Sequence, residues 1–581
     1  MKRVVERCLL VVALSCGSAV WAGVCEPGEL GAPASNDVVI RPAVALDVNP
    51  DPAILEVFLT AREAVIDFGT GNDTQVFSYN GVIPGPTLEA NIGDTLIVHL
   101  CNDLPVDTTI HWHGVETPAN MDGSHISQLT VPPGGTFRYE FPLLVAGTFW
   151  YHPHVQTNVQ VEKGLYGALV VHDPAEDQAL GLPATEHIFF LDDIRLDADG
   201  QVVEPYSGTR EDVALEQLNG REGNYLLFNG AVWPDLTMER GIPHRIRTIN
   251  AANARYMRTS FPEVPMWRIG GDQGLIEHAI LIEPAVSAPP TQPDHPSDPD
   301  PTTGLLLSPG ERADYVVVPH GDTLKLEWHD TQRGRHSVIF NPDETVTLGH
   351  SVPDGDQQVL AFNRVFLFGP SDETEYTPPD PLVTLEPLAT GQQPLALTLG
   401  HTVPDWNTGE VVFFIQAPGK PFPVLTPDDV HSVVGNRTYM WEVRNLTGSH
   451  HNFHTHGFGF QHIETEFVDL DFPKDPDRNY IEPASHLENK DTFLVKRRPG
   501  TVPMRSWSIS RFAVNFRDSG REGLINAAGK VPGVETSGGW LAHCHILEHG
   551  NRGMMTFFQI NDIFSDGFES GDTSAWSSSI P

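Results

Sequence analysis

Apolar and polar residues alternate along most of the chain in short runs that end at turn-forming residues. Within residues 93–102, Leu96, Val98 and Leu100 occupy every second position. A period of two places such side chains on one face of an extended strand. The Asn-Gly pair at residues 80–81 is typical of a tight turn between two strands. The pattern therefore predicts strand, turn and strand in succession.

The same pattern occurs three times. From its glycine to its asparagine, the segment spans residues 93–102 in the first copy and 241–250 in the second, and a third, looser copy spans 435–445. Copies of one strand–turn–strand unit at domain-sized intervals indicate similar β domains in tandem. A length of 581 residues also favours about three domains. We therefore predict an all-β chain of three related domains.

Composition places the limits of these domains. The first unit ends at the sequence Val-His-Asp-Pro, and a stretch rich in proline and acidic residues separates the second unit from the third. The predicted ranges are 36–176, 185–370 and 381–563. A signal peptide at 1–22 precedes them, and a flexible tail rich in serine, glycine and aspartate follows at 564–581.

The charge and the first residues bear on partners and location. Acidic residues outnumber basic ones by 76 to 36, which gives a formal net charge of −40. Such a surface repels nucleic acid and anionic lipid. Three basic residues, a short apolar run and Ala22 form the outline of a secretory signal that is too short to span a bilayer. We expect a periplasmic or secreted monomer without membrane insertion and without a nucleic-acid partner.

Three cysteines lie beyond the predicted signal. If Cys544 binds a metal, Cys25 and Cys101 are left. In an oxidising compartment they form a disulfide, and the alternative is two buried free thiols.

Four His-x-His motifs carry the main chemical signal. In a strand, both histidines of such a motif share one face, as ligands of neighbouring metals require. Two motifs lie in the first predicted unit and two in the third, so a shared metal cluster would lie at the interface of these units. The middle unit would then be a spacer or a wall for the substrate. The motifs are His111 with His113, His152 with His154, His454 with His456, and His543 with His545.

Cys544 lies between the two histidines of the last motif, and alternation turns it to the opposite face. His549 and Met554 follow at five and ten residues. A thiolate, two imidazoles and a distant thioether are the ligands of a blue-copper electron-transfer site. His451, three residues before the His454 motif, is the natural second imidazole, and His450 is not.

Together these motifs resemble the multicopper oxidases, the laccase and bilirubin oxidase family, in its three-domain form. The resemblance covers about residues 55–562 and implies three tandem cupredoxin-like Greek-key β-sandwich domains with four copper ions. By resemblance, the type 1 copper is bound by His451, Cys544 and His549 with Met554 in the axial position. The type 2 ligands correspond to His111 and His454. The ligands of the type 3 pair correspond to His113, His152, His154, His456, His543 and His545.

The resemblance also implies a mechanism. Small donors give one electron each at the type 1 copper, through an exposed edge of His549, and the electrons pass through Cys544 to the cluster, where O2 is reduced to water. Asp122 matches an acid that assists proton delivery; the alternative is an ordinary turn aspartate. Many bacterial members carry glutamate where this chain has Gly550. Either another acid serves, such as Glu548 or a water chain, or oxygen reduction is slower.

Two donor classes stay open at this point. The first is a laccase-like oxidation of phenols and aromatic amines, which we favour. The second is oxidation of Mn(II), Fe(II) or Cu(I) in metal homeostasis; nine methionines, of which only Met554 and Met555 are adjacent, argue against Cu(I). A non-enzymatic relative is disfavoured, because the chain keeps every copper ligand of the family.

Overall fold

The computed structural model of the chain describes residues 30–31, 42–124, 127–283, 304–329, 335–351, 359–369, 375–389, 395–416, 431–476, 478–497, 506–516 and 539–561. The predicted signal, the predicted tail and Cys25 lie outside these residues. Cys101 is buried and disulfide-bonded, but its pairing with Cys25 stays a prediction. None of the helices in the described ranges has the length and apolar character needed to cross a membrane.

The structure is 49% strand and 7% helix, and the strands fall into three sequential groups. The first group forms a six-stranded sheet, β1-β2-β5-β10-β9-β7, and a four-stranded sheet, β4-β3-β6-β8. A single 3-10 turn, Ala119–Met121, precedes β8. The elements are β1 (Leu30–Gly31), β2 (Val44–Ala45), β3 (Ile54–Ile66), β4 (Thr74–Tyr79), β5 (Gly85–Asn91), β6 (Thr95–Asp103), β7 (His111–His113), β8 (Thr136–Pro142), β9 (Gly147–His152), α1 (Thr157–Glu162), β10 (Gly167–His172) and α2 (Pro174–Leu180).

The second group forms a seven-stranded sheet, β13-β12-β11-β15-β20-β17-β18, a five-stranded sheet, β14-β24-β21-β16-β19, and a separate hairpin, β22-β23. The elements are β11 (Glu186–Ile194), α3 (Arg210–Asn219), β12 (Tyr225–Phe228), β13 (Ala231–Val232), β14 (Leu236–Glu239), β15 (His244–Asn250), β16 (Met257–Ser260), β17 (Met266–Gly271), β18 (Gly274–Ile282), β19 (Leu305–Leu307), β20 (Arg312–Val317), β21 (Thr323–His329), β22 (Arg335–Phe340), β23 (Val346–Ser351) and β24 (Val359–Phe368).

The third group forms a six-stranded sheet, β26-β25-β28-β33-β30-β31, and a five-stranded sheet, β27-β35-β34-β29-β32. The elements are β25 (Leu395–His401), β26 (Phe413–Gln416), β27 (His431–Val434), β28 (Thr438–Asn445), β29 (His451–Thr455), β30 (Phe460–Asp469), β31 (Tyr480–Pro483), β32 (Thr492–Val495), β33 (Ser506–Asn515), β34 (Trp540–Cys544), α4 (Leu547–Asn551) and β35 (Met555–Asn561). Each group thus contains a pair of larger sheets, with the hairpin β22-β23 added in the second, and each contains an equivalent parallel strand pair: β3 with β6, β11 with β15, and β25 with β28.

The asparagine that ends each sequence repeat builds the same loop in all three groups. The side-chain oxygens of Asn102, Asn250 and Asn445 each accept a bond from the backbone amide two residues further along. Each side-chain nitrogen donates to two backbone carbonyls, one of them four or five residues ahead and the other on a distant segment. The repeat in the sequence is therefore a repeat in the structure.

The predicted tight turn is also confirmed, and it is repeated. Asn80 and Gly81 have φ values of 55° and 84°, and Asn229 and Gly230 have values of 46° and 78°. Two successive residues in the left-handed region are what an Asn-Gly hairpin turn needs, because asparagine and glycine tolerate positive φ better than other residues.

Candidate metal centres

Strand pairing sets the histidine motifs against one another at the junction of the first and third groups. His111 faces His152 across β7 and β9, and His454 faces His543 across β29 and β34. The structure brings all four motifs together at buried positions. The eight rings, called the histidine cluster below, are His111, His113, His152, His154, His454, His456, His543 and His545.

Within the histidine cluster the rings form two triads with a pair between them. In the first triad the ring centroids lie 4.8–5.8 Å apart, and in the second 5.0–5.2 Å apart. The rings of the pair lie 5.7 Å apart, and each of them stacks on a ring of a different triad. The first triad is His113, His152 and His545; the second is His154, His456 and His543; the pair is His111 and His454.

Hydrogen bonds fix which nitrogen of the central pair carries the proton. The Nδ1–H groups of His111 and His454 donate to the backbone carbonyls of Asp122 and Asp491, at 2.8 and 2.9 Å. In the neutral rings both Nε2 atoms then present lone pairs. These two atoms face each other at 3.4 Å. Two facing lone pairs repel, so a metal cation between them suits this arrangement.

The second triad has the same property. His543 Nδ1 donates to the Cys544 carbonyl at 3.0 Å, and His456 Nδ1 donates to the Asp122 carboxylate at 2.8 Å. Their Nε2 atoms lie 3.0 Å apart, and His154 Nε2 lies 3.5 Å from that of His543. Three imidazole nitrogens therefore converge on one point, which is the donor set that imidazole-binding transition metals take.

In the first triad the inward nitrogens have no hydrogen-bond partner among the described residues. His113 Nε2 bonds Asp491 at 3.1 Å and His152 Nδ1 bonds the Pro153 carbonyl at 2.9 Å. His113 Nδ1, His152 Nε2 and His545 Nε2 are left without a partner. Buried polar atoms are normally satisfied, so this triad also fits a metal ion.

Burial favours the neutral form that metal binding needs. Desolvation, followed by the neighbouring rings for most members, lowers the pKa of six rings of the histidine cluster below the usual value of histidine. These rings are His113, His152, His454, His456, His543 and His545.

Cys544 turns away from the histidine cluster, as strand alternation predicted. Its Sγ lies 3.6 Å from His451 Nδ1 and 3.7 Å from His549 Nδ1, and the two nitrogens lie 3.1 Å apart. These three residues are called the thiolate centre below; all are buried, and Cys544 belongs to a hydrophobic core that also contains the fully buried Met554. The spacings suit one metal ion at bond lengths of about 2.0–2.3 Å. His450 is not part of this centre; its Nδ1 accepts a bond from a backbone amide.

The prediction of an exposed edge of His549 is wrong. His549 is only 1% exposed, and its Nε2 donates to the Leu218 carbonyl at 3.1 Å. Phe413 stacks on the ring with a centroid distance of 4.3 Å. Leu218 lies on α3, a helix whose first turn is fixed by a reciprocal capping box between Thr209 and Asp212. No local sequence pattern predicts this contact, because α3 comes more than 300 residues before His549.

Two hydrogen bonds join the helix α3 to the hairpin β22–β23, and these two elements together are called the cover below. The Asn219 side chain accepts a bond from the His336 amide at 2.6 Å and donates to the His336 carbonyl at 3.0 Å. Val338 and Leu348 of the hairpin pack against the core that contains Cys544. The second group therefore closes the side of the thiolate centre where donors were expected.

Two aspartates each bond two rings of the histidine cluster, one ring through the carboxylate and one through the backbone carbonyl. Asp122, predicted from the sequence, is fully buried and bonds His456 through its carboxylate and His111 through its carbonyl. Asp491 does the same for His113 and His454. Burial opposes its ionisation, but the adjacent Arg312 guanidinium holds the pKa of Asp491 well below its usual range. The sequence does not predict the role of Asp491, because no histidine motif surrounds it.

Gly550 lies beside the histidine cluster, but Glu548 does not line the cavity that reaches it. A Cβ at Gly550 would lie 2.9 Å from the Cys544 carbonyl oxygen and 3.4 Å from His543 Nδ1. A cavity of about 470 Å³ reaches His154, His543 and Gly550. Glu548 instead accepts a bond from Asn253 at 3.0 Å, and burial raises its pKa to about 8.

Known multicopper oxidases resemble this chain in sequence. The multicopper oxidase family model matches residues 60–176. The multicopper oxidase MmcO of Mycobacterium tuberculosis is 27% identical over 96% of this chain and 96% of its own length. The laccase of Bacillus subtilis is 25% identical over 84% of this chain and 91% of its own.

A solved structure shares the fold. A multicopper oxidase from Campylobacter jejuni, described as a metallo-oxidase, matches 90% of this chain and 94% of its own with a TM-score of 0.64 at 23% identity. This likeness supports the cupredoxin-like all-β fold. The relatives align over almost the whole chain. Together with the matching family model and the shared fold, they agree with the two centres described above. The matching family model, the relatives and the solved structure all identify the multicopper oxidase family.

Proposed function

We propose that the chain couples the one-electron oxidation of small reducing donors to the four-electron reduction of O2 to water. Copper is the cofactor that the family implies, and the imidazole and thiolate donors described above fit it. When bound, copper supplies the one-electron redox chemistry. The proposal places four copper ions in the chain: one of type 1, one of type 2 and a type 3 pair.

The residues that would hold copper follow from the two centres. The thiolate centre, with Met554 beside it, would hold the type 1 ion, and His111 with His454 would hold the type 2 ion. The two triads would hold the type 3 pair. In each ring of known orientation, the outward N–H is fixed by a carbonyl or carboxylate, which keeps the inward nitrogen available as a ligand.

The observation that carries the proposal is the position of Cys544 between His543 and His545. Its sulfur belongs to the thiolate centre, while its two chain neighbours belong to the histidine cluster. The path from the sulfur to the cluster is therefore a few covalent bonds along one strand end. One peptide segment joins a centre suited to single electrons with a cluster suited to O2.

The stoichiometry of the reaction tests this proposal. With the copper-loaded protein, an oxygen electrode and a one-electron donor should give four donor molecules oxidised for each O2 consumed, with no hydrogen peroxide. Protein stripped of copper by a chelator is the control and should consume no O2. Two donors per O2 with accumulating peroxide would contradict reduction to water.

We propose phenols and aromatic amines as the first donor class. A second class, reducing metal ions, is favoured by one observation: His549 lies beneath Leu218 and Phe413, so a bulky aromatic donor cannot touch its ring in this conformation. Electrons from a small ion would instead reach His549 through side chains beside the cover. One route is the ring contacts from His401 to Phe413 at 5.5 Å and from Phe413 to His549 at 4.3 Å.

Loosening the cover should separate the two donor classes. Asn219→Ala removes both bonds to His336 without touching the thiolate centre. If the cover excludes bulky donors, kcat/KM for a dimethoxyphenol should rise several-fold, and kcat/KM for Fe(II) or Mn(II) should change little. Asn341→Ala, which alters the far end of the same hairpin, is the matched control. An unchanged kcat/KM for the phenol would remove the support for a metal-ion preference.

We also propose that the protein is exported to the periplasm or the medium and acts there as a monomer. The support for export is the sequence pattern of residues 1–22.

A further inference from the structure

Arg312, at the start of β20 in the second group, is fully buried and uses all five of its N–H donors. Nε donates to the Thr148 carbonyl at 3.0 Å, and Nη1 and Nη2 donate to the Asp491 carboxylate at 2.7 and 2.6 Å. The remaining two N–H groups donate to the carbonyls of Gly310 and Asp272 at 3.2 and 2.7 Å. One side chain therefore ties the first, second and third groups together.

The Asp491 carboxylate links this guanidinium to the histidine cluster. Its Oδ1 accepts bonds from His113 Nε2 at 3.1 Å and from the Thr492 hydroxyl at 2.9 Å. Its backbone carbonyl accepts the Nδ1–H of His454 at 2.9 Å. A bidentate arginine–carboxylate pair has one well-defined geometry. Arg312 therefore holds Asp491, whose carboxylate orients one ring of a triad and whose backbone carbonyl orients one ring of the central pair.

The turn before Arg312 also touches the rings directly. Gly310 has a φ of +87°, and a Cβ at this position would lie 3.0 Å from His113 Cε1 and 3.0 Å from His545 Cγ. Only glycine fits there without displacing two rings. The backbone amide of Arg312 donates to Asp272 Oδ1 at 2.8 Å, and Asp272 Oδ2 lies 3.1 Å from Lys490 Nζ. The second group thus holds Arg312 in place at both its backbone and its side chain.

We propose that Arg312 is a positioning residue for the histidine cluster. Through Asp491 it fixes the orientation and tautomer of His113 and His454, so that their inward nitrogens meet the metal ions. This inference rests on the proposed function and extends it, because it gives the second group a part in assembling a centre to which it contributes no ligand. The sequence had indicated only a spacer or a substrate wall.

Arg247 provides a matched control. It is also fully buried and also reaches Thr148, through the hydroxyl at 3.1 Å, and it pairs with Asp314 and Glu186. It crosses the same junction between the first and second groups, but within the part of the chain that the structure describes it makes no bond to a residue that holds a ring of the cluster. Arg312→Lys and Arg247→Lys are therefore alike in charge retained and in burial, and differ in their connection to the cluster.

The experiment compares both variants with the unsubstituted, copper-loaded full chain. For Arg312→Lys we expect loss of the type 2 copper signal in electron paramagnetic resonance and a fall of about 10- to 100-fold in the rate at which O2 reoxidises the reduced protein. The blue absorption and its anaerobic bleaching by a donor should be retained. Arg247→Lys should keep both the type 2 signal and the reoxidation rate.

Each outcome decides the inference. Equal effects of the two substitutions would overturn it, because they would show a general consequence of losing a buried guanidinium. If Arg312→Lys yields no blue protein, Asp491→Asn replaces it: cluster copper lost with the blue centre intact supports the inference, and full cluster occupancy overturns it. If the unsubstituted chain binds no cluster copper or reduces no O2, the proposed function itself fails, which the same preparation reveals first.

Discussion

A Cys544→Ser variant should be colourless and should lose oxidase activity by roughly a thousandfold or more, while remaining folded. The blue colour requires a thiolate bound to copper, and a serine hydroxyl at neutral pH supplies no comparable anion. The variant should also lack the covalent route from the sulfur to His543 and His545. Visible absorption and O2 consumption with a one-electron donor check both expectations.

Folding should survive this change, because serine is smaller than cysteine and its hydroxyl would face the ring nitrogens of His451 and His549 instead of a purely apolar space. Ala542→Ser is the matched control: it adds a hydroxyl at a fully buried position two residues earlier on β34 and leaves the thiolate in place. The control should stay blue. A Cys544→Ser protein that keeps the blue colour would show that Cys544 is not the type 1 ligand.

An Asp122→Asn variant should separate the two halves of the reaction. The Asp122 carboxylate accepts the Nδ1–H of His456 at 2.8 Å, and its Oδ1 lies 3.4 Å from His111 Nδ1. Asparagine keeps the shape but loses the charge, so the inward nitrogen of His456 becomes a weaker ligand. We expect reoxidation by O2 to slow about 10- to 100-fold, with unchanged anaerobic bleaching of the blue centre by a donor.

Stopped-flow absorption measures both steps in one preparation. Asp107→Asn makes the same charge change at an exposed position nearby, where the carboxylate accepts a bond from the Thr130 hydroxyl, and should affect neither step. Slowing of both steps by the same factor in Asp122→Asn would contradict a role at the histidine cluster and indicate a general loss of structure.

Local rules explain why the sequence predicted so much of the two centres. The period of a strand places His543 on the opposite face from Cys544, and the identity of the ligands distinguishes a thiolate centre from an imidazole cluster. Asn102, Asn250 and Asn445 mark the three groups in the sequence, because the side chain of each bonds the backbone of residues that follow it closely. In all these cases the signal lies within a dozen residues.

The features that the sequence did not predict depend on distant contacts. Leu218 covers His549 from 331 positions away, and Arg312 holds Asp491 from 179 positions away. A helix that covers a copper site, or an arginine that orients a carboxylate, has no pattern of its own, because its role is set by packing between sheets. For this reason the second group looked like a spacer in the sequence. In the structure its cover closes the thiolate centre, and its Arg312 bonds Asp491 beside the histidine cluster.

The copper content of the purified, copper-loaded chain tests the central claim most directly. Metal analysis combined with protein quantification should give four copper ions per chain, and three in Cys544→Ser, because that substitution empties only the type 1 site. One copper ion per chain in the unsubstituted protein would contradict the account, since the eight histidines would then hold no cluster.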